Sequence, residues 1–79
     1  MSARSSAAIF GDIFQHLAES PTDANKEFAR WLWSKTAGYD FADYQLEADD
    51  ALMALGLARR GVDPKHPDDG EMVVYGPPR

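Results

Sequence analysis

The chain contains no cysteine and no long apolar run. Without cysteine it can form neither disulfides nor thiolate metal sites, so its stability has to come from packing or from self-association. The absence of about 18 consecutive apolar residues argues against a membrane-spanning helix. The first ten residues also lack the apolar stretch of a signal peptide. These features predict one small cytoplasmic domain of 79 residues.

Groups that carry catalysis or bind cofactors are also scarce. The six glycines are scattered and do not form a phosphate-binding loop. Asp12 and His16 are spaced i, i+4 on a helix, but a third metal ligand is not evident. Around His66 the chain is rich in carboxylates, but Lys65 stands where a calcium loop needs an oxygen ligand. We therefore expect a protein that is not an enzyme, with no catalytic residues, no cofactor and no metal site.

Positive charge is absent from the middle of the chain. The net charge is −5, and the excess lies in residues 36–58, which contain no lysine or arginine. The acidic residues of this stretch are Asp40, Asp43, Glu47, Asp49 and Asp50. Such a surface repels a phosphate backbone, so direct binding to nucleic acid is not expected. A partner protein with a basic surface suits it better.

Residues 40–60 are predicted to form one long central helix. Asp40 fits the N-cap, because its carboxylate can accept hydrogen bonds from free N–H groups of the first turn. Gly61 fits the position after the C-cap, where the backbone becomes left-handed, and Pro64 prevents the helix from continuing. The helix should be apolar on two sides. The larger apolar face is Phe41, Tyr44, Ala48, Ala51, Leu52 and Leu55, and the smaller is Leu46, Met53 and Leu57.

Two shorter helices are predicted before it, over about residues 6–19 and 21–37. The first has one apolar face, formed by Ile9, Phe10, Ile13, Phe14 and Leu17. Ser20 is predicted to cap the second helix, with Pro21 in its first turn. The shared face of the second helix is Ala24, Phe28, Trp31, Leu32 and Lys35.

Trp33 lies off this shared face, and the sequence leaves two interpretations of it. Its ring can cover the edge of the bundle against Tyr39. Alternatively it is an aromatic anchor at an interface, where tryptophan is enriched.

Residues 63–79 are predicted to form an extended C-terminal arm. Residues 63–70 have the composition of a loop, and residues 71–75 have β-propensity. In a helical domain this segment has no strand to pair with. It therefore either lies over the smaller apolar face of the central helix, or pairs with another copy or with a partner's sheet edge.

These patterns together predict an all-α fold, a compact three-helix domain with an extended C-terminal arm. The predicted function is that of a non-catalytic small regulatory or adaptor protein that binds another protein. The expected binding residues are Asp43, Glu47 and Asp50 on the acidic face, the apolar patch Leu46, Met53 and Leu57, and Trp33. A self-associating structural subunit, such as a homodimer, is the alternative, and an inhibitor that mimics nucleic acid is a more distant one. The acidic face has a simpler interpretation as a solvated surface that keeps the protein soluble.

Overall fold

The structure is a computed structural model that describes residues 4–62, 65 and 67–76. It is a compact, mainly helical domain with three α-helices and a C-terminal two-stranded antiparallel hairpin. The prediction of a mainly helical domain is confirmed, and the prediction of a purely all-α fold is wrong. Asp63, Pro64 and His66, which belong to the predicted loop, lie outside the described residues.

The first two helices are close to their predicted positions. Helix α1 spans Ser6–Glu19, and the Ser5 hydroxyl accepts a hydrogen bond from the Ala8 N–H at 3.2 Å. Helix α2 spans Asp23–Thr36 and is capped by Thr22, whose hydroxyl accepts from the Asn25 N–H at 3.2 Å. The predicted cap Ser20 is wrong, because its N–H still bonds to the Leu17 carbonyl at the end of α1. Helix α2 can begin only after this turn is complete.

The central helix is much shorter than predicted at both ends. A 3₁₀ turn over Ala42–Tyr44 precedes helix α3, which spans only Gln45–Ala54. The Asp40 carboxylate accepts from the Ala42 N–H at 2.9 Å, a local bond just before this turn, so Asp40 is not the N-cap of the central helix as predicted. Ala42 has a positive φ of 53°, which interrupts the helical backbone after Asp40.

Gly56, and not Gly61, ends the central helix. Gly56 has a φ of +77°, and its N–H donates to the Met53 carbonyl at 3.1 Å. The Leu57 N–H donates to the Leu52 carbonyl at 2.8 Å. These two bonds, with Leu52 and Leu57 as the apolar pair, form a Schellman ending five residues before the predicted one.

Residues 58–60, which were predicted to end the central helix, belong instead to the first strand of the hairpin. Strand β1 spans Ala58–Val62 and strand β2 spans Glu71–Tyr75, paired antiparallel from Ala58 opposite Tyr75 to Val62 opposite Glu71. The β-propensity assigned to residues 71–75 is therefore confirmed. The predicted unpaired arm is wrong, because β2 finds its partner in the segment after Gly56.

Helices α1 and α3 pack against each other, and the core is completed by α2 and by the residues that flank α3. The larger apolar face of the central helix is buried as predicted, with Tyr44 half-buried at its edge. Phe14, Phe41, Leu52 and Leu55 are the largest fully buried side chains. On α1, however, Ile9 is 44% exposed and does not join the core. A Cβ on the buried Gly11 would lie 3.2 Å from the Tyr44 Cβ, so this glycine permits the close approach of α1.

Helix α2 turns a different face to the core from the one predicted. Its buried residues are Ala29, Leu32 and Trp33, while Phe28 and Trp31 are exposed. The ring of Trp33 stacks on Tyr75 of β2, with centroids 5.0 Å apart and an angle of 22° between the planes. The hairpin, which the sequence did not reveal, therefore contributes to the burial of this face of α2 by covering Trp33.

Strand β2 is tied to α3 through the phenol of Tyr75. Its hydroxyl donates to the Asp49 carboxylate. The side-chain amide of Gln45 donates to the Tyr75 hydroxyl at 2.9 Å and to Asp49 at 2.8 Å. Asp49 therefore has a structural role, and it is one of the five acids that the sequence placed on the acidic surface.

Candidate functional site

An open, shallow groove between α1 and α3 brings three carboxylates together. Its volume is about 370 Å³. We call it the acidic groove, and it is lined by Gln15, Ala18, Glu19, Glu47, Asp50 and Ala51. The two alanines supply an apolar floor, of which Ala51 is only 4% exposed. The carboxylates of Glu19, Glu47 and Asp50 surround this apolar floor.

The carboxylates of the acidic groove are only weakly paired. His16 Nδ1 lies 3.6 Å from Glu19, an ion pair only when the imidazole is protonated, and Arg60 lies 3.9 Å from Asp50. Both acids are highly exposed, so water screens these contacts. No described lysine or arginine forms an ion pair with Glu47. The groove therefore keeps a negative potential that an incoming cation can meet.

The fold brings together only part of the predicted acidic site. Glu47 and Asp50 both line the groove, one turn apart on α3. Asp43 is exposed in the 3₁₀ turn and does not line it. Glu19 was missed, because it belongs to α1 and reaches the groove only through tertiary packing. No local sequence signal relates Glu19 to the other two acids.

The predicted apolar patch does not form. Leu46 is 76% exposed and Met53 is half-buried, but Leu57 lies beyond the end of α3 and is buried in the core. Trp33 is also a core residue, stacked on Tyr75. Treating Leu57 and Trp33 as exposed contact residues was therefore wrong, because the early helix end and the hairpin bury them.

A pair of exposed aromatic side chains lies on α2 instead. Phe28 and Trp31 have ring centroids 5.9 Å apart, and the ammonium of Lys35 lies 6.0 Å from the Trp31 ring. Both rings are about half exposed. The i, i+3 spacing makes them neighbours on one helix face, which was predicted to lie against the core.

A second, mostly apolar cavity of about 470 Å³ lies where the end of α2 meets β2. Trp33, Tyr39, Phe41 and Tyr75 supply four aromatic walls, and Gln45 supplies a polar one. The Trp33 Nε1–H is buried and has no hydrogen-bond acceptor among the described residues. Trp33 stacks on Tyr75, while Tyr39, which lines the same cavity, packs edge-on against Phe10 and Phe41.

Within the described residues, no three histidine or acidic side chains gather closely enough to hold a metal ion. Asp12, one member of the i, i+4 pair with His16, bonds to the Arg4 guanidinium. This hydrogen bond, together with the negative charge of Asp12, raises the pKa of Arg4 above its ordinary value. The carboxylate is therefore engaged by a cation of its own chain.

Comparisons with known proteins add no functional assignment. No protein-family model matches the chain, and no curated protein or solved structure is significantly similar to it. Among the described helices, none has the length and apolar character needed to cross a bilayer.

Proposed function

We propose that this protein is a non-catalytic adaptor or regulatory protein that binds a basic segment of another protein in the acidic groove. The observation that supports the proposal is the arrangement of Glu19, Glu47 and Asp50 around a floor of small apolar side chains. This arrangement suits a lysine or arginine side chain. The aliphatic stem would pack on Ala18 and Ala51, while its charged head would lie among the carboxylates.

The negative charge of the chain also favours a basic partner. The chain carries a net charge of −5, and its excess lies on residues 36–58, from which Glu47 and Asp50 come. Complementary charge mainly accelerates association and disfavours wrong partners, and salt screens it over about 8 Å at physiological ionic strength. The proposed complex should therefore form quickly and weaken as salt increases.

Charge reversal in the groove tests the proposal. Glu47→Lys combined with Asp50→Lys should abolish retention of the native partner from a cell extract, while the fold stays intact because both side chains are exposed. The partner retained by the wild type should carry a lysine- or arginine-rich segment. Its affinity, measured by titration calorimetry with that segment as a peptide, should fall at least about tenfold between 50 and 500 mM salt.

Asp68→Lys provides a matched control for Glu47→Lys. Both changes replace one exposed acid with a lysine, so each shifts the net charge by the same amount, but Asp68 does not line the groove. Glu47→Lys should weaken binding much more than Asp68→Lys. Equal effects would show that only the overall charge matters, and an unchanged affinity in the double variant would refute the groove as the binding site.

A further inference from the structure

The outer edge of strand β2 has backbone groups that the hairpin leaves unpaired. The Gly76 N–H donates to the Leu57 carbonyl at 2.9 Å, which identifies this residue pair as hydrogen-bonded. Because such pairs alternate along an antiparallel ladder, the next ones are Arg59 with Val74 and Gly61 with Met72. The N–H and carbonyl groups of residues 71, 73 and 75 therefore point away from β1. Apart from the hairpin ladder, no backbone bond among the described residues involves these three.

The composition of β2 does nothing to block pairing at this edge. Natural sheets protect their edges with proline, with lysine or with a bulge. Strand β2 has none of these, and its sole charged residue is Glu71 at one end. The opposite edge, on β1, differs because Arg59 and Arg60 lie within it. The two edges of one small hairpin are therefore unequal.

We infer that the β2 edge pairs with the β2 edge of a second copy, which joins two hairpins into a four-stranded antiparallel sheet. A twofold axis at Val73 pairs residue 71 with residue 75 of the other copy, and residue 73 with its own equivalent. Across this axis residue 71 faces residue 75, residue 73 faces residue 73, and residue 75 faces residue 71. Each of these three pairs would form two backbone hydrogen bonds, which gives six in total.

Side-chain charge favours self-pairing through β2 over self-pairing through β1. About the axis at Val73, Glu71 lies opposite Tyr75 of the other copy, so no like charges meet. Self-pairing through β1 about its central residue would place Arg60 directly opposite the other Arg60, which is unfavourable. A second copy therefore fits the β2 edge but not the β1 edge. This association is independent of the acidic groove, because none of the groove residues lies in the hairpin.

Met72 and Val74 provide the sharpest test of the pairing. Both lie on the same face of β2, and Met72 is 44% exposed. In the proposed dimer, residue 72 of one copy lies opposite residue 74 of the other. Met72→Lys with Val74→Lys would place two ammonium groups against each other. Met72→Lys with Val74→Glu would place opposite charges together in the same positions, with the same number of substitutions.

Sedimentation equilibrium of the full chain from about 10 μM to 1 mM measures the result, over a range suited to interfaces of small area. The wild type should move from 8.7 kDa towards twice that mass. The Lys/Lys variant should raise the dimer dissociation constant at least about tenfold relative to the Lys/Glu variant. Circular dichroism verifies that both variants keep the wild-type fold. Hydrogen exchange of the Val73 amide should slow as the wild-type concentration rises.

Three results would overturn the inference. One is a wild type that stays at 8.7 kDa up to 1 mM. Another is association that the Lys/Lys and Lys/Glu variants share equally, since the contact would then use another surface. The third is growth beyond a dimer, which indicates an open head-to-tail contact rather than a closed twofold one. Glu47→Lys should dimerise like the wild type, so failure of this inference and failure of the adaptor proposal can be distinguished.

Discussion

Leu52→Ala is expected to lower the free energy of unfolding by about 2–4 kcal/mol, with a similar loss for Leu55→Ala. The two leucines are 0% and 1% exposed, and both belong to the core cluster enclosed by the helices. Truncation removes apolar contacts and leaves a cavity that packed neighbours can fill only in part. A domain of this size has a stability of roughly 4–12 kcal/mol, so either loss removes a large part of it.

Leu46→Ala is the matched control, because it makes the same chemical change on the same helix. Leu46 is 76% exposed, so its truncation should change stability by no more than about 0.5 kcal/mol. Urea melts of the three variants measure the comparison directly. A loss below about 1 kcal/mol for both Leu52→Ala and Leu55→Ala would contradict the core described here.

Gly56→Val is expected to destabilise the domain by about 1–3 kcal/mol, towards the upper end of the usual cost of a left-handed backbone. Gly56 has a φ of +77°, and a β-branched side chain resists this conformation. A Cβ at this position would meet no atom within 4 Å, so the cost measures backbone strain rather than a clash. Thermal and urea unfolding of the purified variant give its size.

Two controls separate the backbone effect from loss of a glycine in general. Gly56→Asn should cost less than Gly56→Val, because asparagine enters the left-handed region more readily. Gly61→Ala tests the glycine that the sequence had favoured as the helix end. Gly61 has no left-handed φ, and its added Cβ would lie 3.3 Å from the Val74 side chain, a tight contact that a small shift of this side chain relieves. If Gly61→Ala costs more than Gly56→Val, the helix does not end at Gly56.

The wrong prediction of where the central helix ends shows what local sequence patterns cannot determine. Gly56 and Gly61 each follow helix-forming residues, and each precedes an apolar residue, Leu57 or Val62. A Schellman ending also needs an apolar residue three positions before the C-cap. Both glycines have one, Leu52 for Gly56 and Leu57 for Gly61. What decides between them is the pairing of residues 58–62 with residues 71–75, a contact across a loop. Periodicity within one helix does not contain that information.

The same reason explains what was missed at the candidate site. The larger apolar face of α3 follows from helical spacing and was predicted correctly. The position of Glu19 beside Glu47 depends on how α1 crosses α3, and the burial of Trp33 depends on Tyr75. Each of these joins residues that are distant in the sequence. The acids of α3 were therefore predictable from the sequence, while the groove around them was not.

The unequal burial of the two tryptophans gives the protein two separate optical reporters. Trp31 is 54% exposed, so acrylamide or iodide can quench its fluorescence in the folded state. Trp33 is 5% exposed and stacked on Tyr75, so a quencher reaches it only when the hairpin leaves α2. A Trp31→Phe variant would carry the buried reporter alone. Its emission would follow the docking of the hairpin, separately from the melting of the helices that circular dichroism follows.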